Sequence, residues 1–290
     1  MNHDPICIGV IGGSGLYQME GLEDVHEIRV TTPFGDPSDV LVAGHIEGVP
    51  VAFLPRHGRG HVHTPTEVPY RANIHALKQL GVEKVVSISA CGSLREHLHP
   101  GDIVVPDQLF DFTKNRTSSF FGEGLVAHVS VADPFCPVLS ALLFDAVAAA
   151  GGTVHRGGTF ITIEGPRFST KGESLVYRQW GMDIIGMTAS PEAFLAREAG
   201  MCYATMAHIT DYDVWHESEE PVTVEMVIQV LQHNVGLAQQ ALRLLITRLV
   251  GAQTDCACAS ALDTALITAR DRIPTATLDK RRLLVGACLG

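Results

Sequence analysis

Apolar, β-branched runs of strand length recur along the chain, and each closes on glycine, proline or polar residues. Ile6–Ile11 leads into Gly12-Gly13-Ser14-Gly15, Val49–Leu54 into Pro55-Arg56-His57-Gly58, and Lys84–Ser89 into Ala90-Cys91-Gly92-Ser93. Thr159–Ile163 leads into Glu164-Gly165-Pro166-Arg167-Phe168, and Cys202–Ile209 into Thr210-Asp211-Tyr212-Asp213. The runs are continuous rather than alternating, which predicts strands covered on both faces. Helical patterns lie between them: Pro69–Leu80 stopped by Gly81, Pro134–Ala150 by Gly151-Gly152, and Pro191–Ala199 by Gly200. The longest helix is expected over Val222–Leu249, where Val224, Val227, Ile228, Leu231, Val235, Ala238, Leu242 and Leu245 keep a helical rhythm. Strands alternating with helices predict an α/β fold, one mixed sheet flanked by helices. Without a low-complexity linker or internal repeat, residues 1–290 read as a single domain. The tail from about 251 is less regular, with one helix expected from Ala257 to Arg270.

Composition narrows the function. Of 290 residues, 46% are hydrophobic and 18% charged, and the formal net charge is −11. That balance argues against a nucleic-acid surface, which needs clustered Lys and Arg, but leaves room for a small anion held by a few local groups. No apolar stretch approaches a bilayer-spanning length, and Met1-Asn2-His3-Asp4-Pro5 lacks the basic start of a secretory signal. The seven cysteines are odd in number and scattered through apolar segments, as reduced thiols are. A soluble cytoplasmic protein is expected.

The polar clusters sit at strand ends, where open α/β sheets bind ligands. Gly12-Gly13-Ser14-Gly15 suits an anion cradle or simply a tight turn. Gln18 and Leu16 stand where a dinucleotide fingerprint needs glycine. Arg56 offers a fork of donors suited to phosphate oxygens, and His57 could donate beside it. Histidines 57, 61 and 63 also admit a metal reading, but neither Glu nor Cys accompanies them. Ser89-Ala90-Cys91-Gly92 combines small residues with hydroxyls; nothing local activates Cys91, which reads as a packing thiol. Phe168 could stack on a base or be a core aromatic, with Arg167 pairing to Glu164. Met187 and Thr188 fit a ligand contact or ordinary packing. Asp211 and Asp213 point the same way in an extended segment, and two converging carboxylates do not ionise together easily. They could read an amine and a ring nitrogen, cap a helix, or hold a metal. Cys256-Ala257-Cys258 is tighter than a common zinc pair and stays without assigned purpose.

Taken in order, these segments resemble the S-methyl-5′-thioadenosine phosphorylases within the trimeric purine nucleoside phosphorylase family. The match rests on Ile11–Leu16, Pro55–Arg59, Ala90–Glu96, Asp133–Pro137, Thr162–Phe168, Gly186-Met187-Thr188 and Thr210–Asp213, within residues 6–250. The resemblance implies a single α/β domain on a twisted mixed sheet. It further implies attack of inorganic phosphate, a co-substrate, on methylthioadenosine, with no metal and no organic cofactor. Phosphate would be held by Ser14, Arg56, His57, Ser89, Ala90 and Thr188. Met187 would pack on the ribose and Phe168 on the base. Asp211 would serve N7 of adenine and Asp213 its 6-amino group. Ile185, Thr210, Val224, Val227 and Ile228 would line the purine and alkylthio pocket, and His61 would lie near the 5′ end. The implied assembly is a homotrimer or a dimer of trimers, with His128 reaching across the interface. Gly186 departs from the Asn frequent in methylthioadenosine members, which keeps a broader or 6-oxopurine specificity open. The Cys-x-Cys is similar to one in some archaeal relatives, where it can form a disulfide.

Overall fold

In the computed structural model the chain is described over residues 6–13, 15–16, 20–216, 223–250 and 255–289. The apolar runs become the strands of one mixed sheet. In chain order the elements are β1 (Ile8–Gly12), β2 (Leu22–Ile28), β3 (Leu41–Ile46), β4 (Val49–Pro55), α1 (Tyr70–Gln79), β5 (Lys84–Ser93), β6 (Ile103–Val105) and β7 (Gln108–Phe112). There follow α2 (Pro137–Ala149), β8 (Val154–Arg156), β9 (Thr159–Ile163), α3 (Lys171–Gln179), β10 (Ile184–Gly186), α4 (Ala189–Glu198), β11 (Cys202–Asp211), α5 (Val224–Leu249) and α6 (Thr275–Leu289).

The sheet runs β2-β3-β4-β1-β5-β10-β9-β7, and β11 adds to β5 and leads on to β6 and β8. Every residue of β11 is buried, as the unbroken apolar run requires. One face carries α1, α4 and α6, with Ile74, Leu195 and Leu284 in its core. The other carries α2 and α5, with Leu143, Leu242 and Leu245. Fold class and the order of α1, α2, α4 and α5 therefore agree with the sequence pattern, which did not foresee α3.

Two differences matter. Ala90–Ser93 is not a loop but the continuation of β5: its last two residues pair antiparallel with Ile185 and Ile184 of β10. β5 can run on because β10 takes over the edge that β1 leaves. In the tail, 257–270 forms turns rather than a helix, pinned by the bridge between Ala127 and Leu266. The helix lies later, as α6, where Pro274 opens the first turn and its carbonyl accepts from Thr277 and Leu278.

Candidate active site

The site forms where the edge of β5 is left open. β1 pairs with residues 84–87 of that edge and β10 with 92–93, so no strand covers the stretch between. This is a topological switch point, and the polar residues converge on it.

Arg56 follows β4 and turns inward, almost fully buried. It donates from Nε and Nη2 to both oxygens of Glu192, each at 2.9 Å. Nη1 donates to the Ile88 carbonyl at 3.0 Å and Nη2 to Ser87 Oγ at 2.7 Å. The fork expected to face an anion is thus occupied by Glu192. With five N–H groups on a guanidinium, about one, on Nη1, is left over. Burial opposes the charge, but the Glu192 carboxylate outweighs it and holds Arg56 protonated. Glu192 is itself fully buried and also accepts from Tyr203 Oη at 2.8 Å. The Glu192 carboxylate offsets that charge, so what Arg56 has left for the open edge is the remaining Nη1 N–H.

Beside it, Ser89 Oγ and Thr188 Oγ1 lie 3.5 Å apart, both buried. Thr188 is the N-cap residue of α4, yet its hydroxyl makes no capping bond and its partner is Ser89 at the long limit of a hydrogen bond. Ala90 is half-buried in the same stretch. His57 is bonded through Nδ1 to the His63 carbonyl at 2.9 Å and stacks on His61, ring centroids 4.1 Å apart. Burial, then the Arg56 charge, lowers His57 to a pKa of about 4. It is therefore neutral near pH 7, with Nδ1 carrying the proton and Nε2 an acceptor, not the donor first expected. Among the described residues, histidines 57, 61 and 63 gather no metal-ligand set. Ser14 lies outside the described residues.

At the end of β11, Thr210 Oγ1 donates to Asp211 Oδ2, and the Asp213 backbone N–H donates to Asp211 Oδ1, each at 2.7 Å. The strand stops at Asp211, so extended alternation does not align the pair. Asp213 takes a left-handed backbone, φ +52°, and the turn folds it back. Both acids pack on Gly92, where an added Cβ would meet Asp211 Oδ1 at 2.9 Å and Asp213 Cβ at 3.3 Å. Asp213 Oδ2 is buried with no hydrogen-bond partner. The buried hydroxyls of Ser169 and Ser174 face it, short of good hydrogen-bond geometry yet near enough to favour its charged form. Burial, aided by the Asp211 charge, pushes Asp213 up to about 6. Burial also raises Asp211, against the two hydrogen bonds it accepts.

Ile185 is buried and Met187 half-buried beside Gly165. Phe168 is exposed, as are Val224 and Ile228 in the first turns of α5, with Val227 half-buried between them. Gln239 ties α5 to the glycine-rich loop by a 3.1 Å bond to the Gly15 carbonyl. His61 is exposed, and His128 sits exposed on a separate loop, its backbone held by Ala265. Arg167 pairs with Glu173 at 2.7 Å, not with Glu164 as expected; the capping box of α3 places Glu173 within reach.

Arg116 was not legible as a site residue. Its buried guanidinium donates to the carbonyls of Met187 (2.6 Å), Ser190 (2.7 Å) and Glu164 (2.7 Å). It clamps the segments after β9 and β10 to each other. A lone Arg in a loop has no sequence signature for that task.

A family description of the phosphorylase superfamily matches residues 7–247, and the chain belongs to that superfamily. Within it, the S-methyl-5′-thioadenosine phosphorylase of Geobacter sulfurreducens is 53% identical over 281 residues, covering 97% of this chain and 98% of its own. The enzyme of that name from Hyperthermus butylicus is 53% identical over 263 residues, 90% of this chain and 95% of its own. A methylthioadenosine phosphorylase from an antarctic soil metagenomic library superposes with a TM-score of 0.93 at 48% identity, covering 97% and 99% of the two chains. The Schistosoma mansoni methylthioadenosine phosphorylase in complex with adenine gives 0.85 at 37% identity, covering 92% and 99%.

Proposed function

We propose that the protein catalyses phosphorolysis of S-methyl-5′-thioadenosine, releasing adenine and 5-methylthioribose 1-phosphate. The observation that carries the reading is the buried acid pair whose Asp213 Oδ2 lacks a partner, with the Ser89 and Thr188 hydroxyls and the remaining Arg56 Nη1 N–H at the open edge of β5. An unpaired buried carboxylate oxygen is costly, and a ligand amine satisfies it.

Phosphate sits along the open edge of β5, against Ser89, Thr188 and the start of α4. Its own P–OH donates to His57 Nε2, which suits a neutral imidazole. Ser14 completes this shell by resemblance. The base lies at the acid pair and the sugar between, near Met187. Cleavage develops positive charge on the sugar and negative charge on the base. Positioned phosphate meets the first, and a carboxylic acid donating to N7 meets the second. Adenine's N7 accepts from a carboxyl only when that carboxyl is protonated, and its amine donates best to a carboxylate, so the bound base suits one proton on the pair. With Asp211 at N7 and Asp213 at the amine, that proton sits on Asp211 in the complex. The reaction uses no metal or organic cofactor. A homotrimer, with His128 near a neighbour's 5′ end, belongs to the same reading and draws on the exposure of His128. So does a cytoplasmic location; among the described residues no helix is long and apolar enough to cross a membrane.

Gly186 does not weaken the substrate assignment. A Cβ there would lie 2.8 Å from the buried Phe160 ring, so local packing around that ring favours Gly over Asn. Methylthioadenosine, adenosine and inosine, each with and without phosphate, test the proposal by base release on a chromatogram. Phosphate-dependent adenine release, fastest from methylthioadenosine, is expected. Equal release without phosphate, or faster cleavage of inosine, refutes it.

A further inference from the structure

Four cysteines far apart in the sequence meet at one point. Cys136, Cys202, Cys256 and Cys258 bring their sulfurs within 4.8 Å of one another, and Cys202 Sγ lies 3.4 Å from Cys256 Sγ. Cys136 caps α2, Cys202 opens β11, and the Cys-x-Cys belongs to the tail after α5. Two backbone features place them: the Cys136 N–H donates to the Tyr203 carbonyl at 2.8 Å, and the tail runs over Gly200, where a Cβ would meet the Ala259 carbonyl at 3.3 Å.

We propose that this tetrad is a structural zinc site that staples the tail to the start of β11. Tetrahedral zinc with Zn–S bonds of about 2.3 Å requires sulfurs about 3.8 Å apart, so the tetrad needs only a small adjustment. Soft thiolates select such an ion over magnesium or calcium. The close Cys-x-Cys spacing is tolerable here because the other two ligands come from separate elements. Binding follows a simple balance: four thiols and one Zn2+ give a tetrathiolate complex of charge −2 and four released protons, with no change of oxidation state.

The surroundings suit that charge. The Leu139 backbone N–H, at the N-terminus of α2, donates to Cys136 Sγ at 3.5 Å. Cys136, Cys202 and Cys258 are buried, while half-buried Cys256 gives the ion a way in. The site departs from the expectation of no metal, but it does not enter the reaction. β11 separates it from Asp211 by nine residue steps, about 30 Å at the rise of a strand.

Metal analysis of the reduced, full-length protein purified without added chelator is expected to give about one zinc per chain. Cobalt(II) added to the metal-free protein is expected to produce thiolate-to-cobalt absorption and tetrahedral d–d bands, saturating near one equivalent and absent after thiol alkylation. Cys256→Ser and Cys258→Ser lower the thermal midpoint and metal content while leaving kcat/KM within about twofold, since the site is remote. Cobalt titration of the unsubstituted chain decides the matter if a variant fails to fold. Metal-free protein with four freely titrating thiols and no cobalt bands overturns the proposal. So do disulfides, read as a mass deficit under non-reducing conditions.

Discussion

Asp213→Asn separates the two roles assigned to the acid pair. Asparagine keeps the shape and tolerates the left-handed backbone at φ +52°, so the substitution adds little strain. The ordinary Asp value of 3.8 rises to about 6 at this position. A folded pKa above the unfolded one means that stability is fully present below pH 3.8 and is lost as pH rises through about 6. Two units at 1.36 kcal/mol each amount to about 3 kcal/mol of destabilisation carried by the ionised group at pH 8. The amide carries no such charge. The variant is therefore expected to gain on the order of 2–3 kcal/mol over the unsubstituted protein between pH 4 and pH 8, less what its amide fails to recover from the serines. Urea unfolding at matched protein concentration across that range measures the difference. At the same time the variant loses the charged acceptor for a 6-amino group and gains an NH2 donor that can turn towards a 6-oxo group. Its ratio of inosine to methylthioadenosine cleavage rises. Parallel stability–pH curves for the two proteins would refute the assignment of strain to Asp213, and an unchanged substrate ratio would refute its role in reading the base.

Three further outcomes follow from the same geometry. Arg116→Ala strands the carbonyls of Met187, Ser190 and Glu164, costing about 3 kcal/mol in unfolding free energy and raising KM for nucleoside; an unchanged thermal midpoint would show that the clamp is idle. Ser89→Ala with Thr188→Ala raises KM for phosphate roughly a hundredfold, at about 1.4 kcal/mol per lost bond, while thermal stability stays near that of the parent; initial rates across phosphate concentrations measure it. Gly186→Asn drives its side chain into the Phe160 ring and lowers the melting temperature, and adding Phe160→Leu recovers part of the loss.

Legibility in the sequence followed how each residue does its work. β1, β4, β5, β9 and β11 stand out because strands deep in the sheet are apolar on both faces. β6, β8 and β10 have three residues each, too short for any period, and β2 is largely exposed. The acid pair and the hydroxyl-bearing strand ends were readable as chemistry. The engagement of Arg56 was not, since its partner Glu192 lies on α4 amid small apolar residues and looks like an acid in a first helical turn. Arg116 acts on backbone carbonyls, which leave no mark in a sequence. The four thiols meet only through the fold, so the Cys-x-Cys spacing alone pointed nowhere.

The central claim is that phosphate, not water, takes the sugar. Phosphorus NMR of the protein incubated with methylthioadenosine and inorganic phosphate tests it most directly. A sugar 1-phosphate resonance growing in step with free adenine is the predicted result. Adenine appearing with free 5-methylthioribose and no new phosphate ester would contradict it.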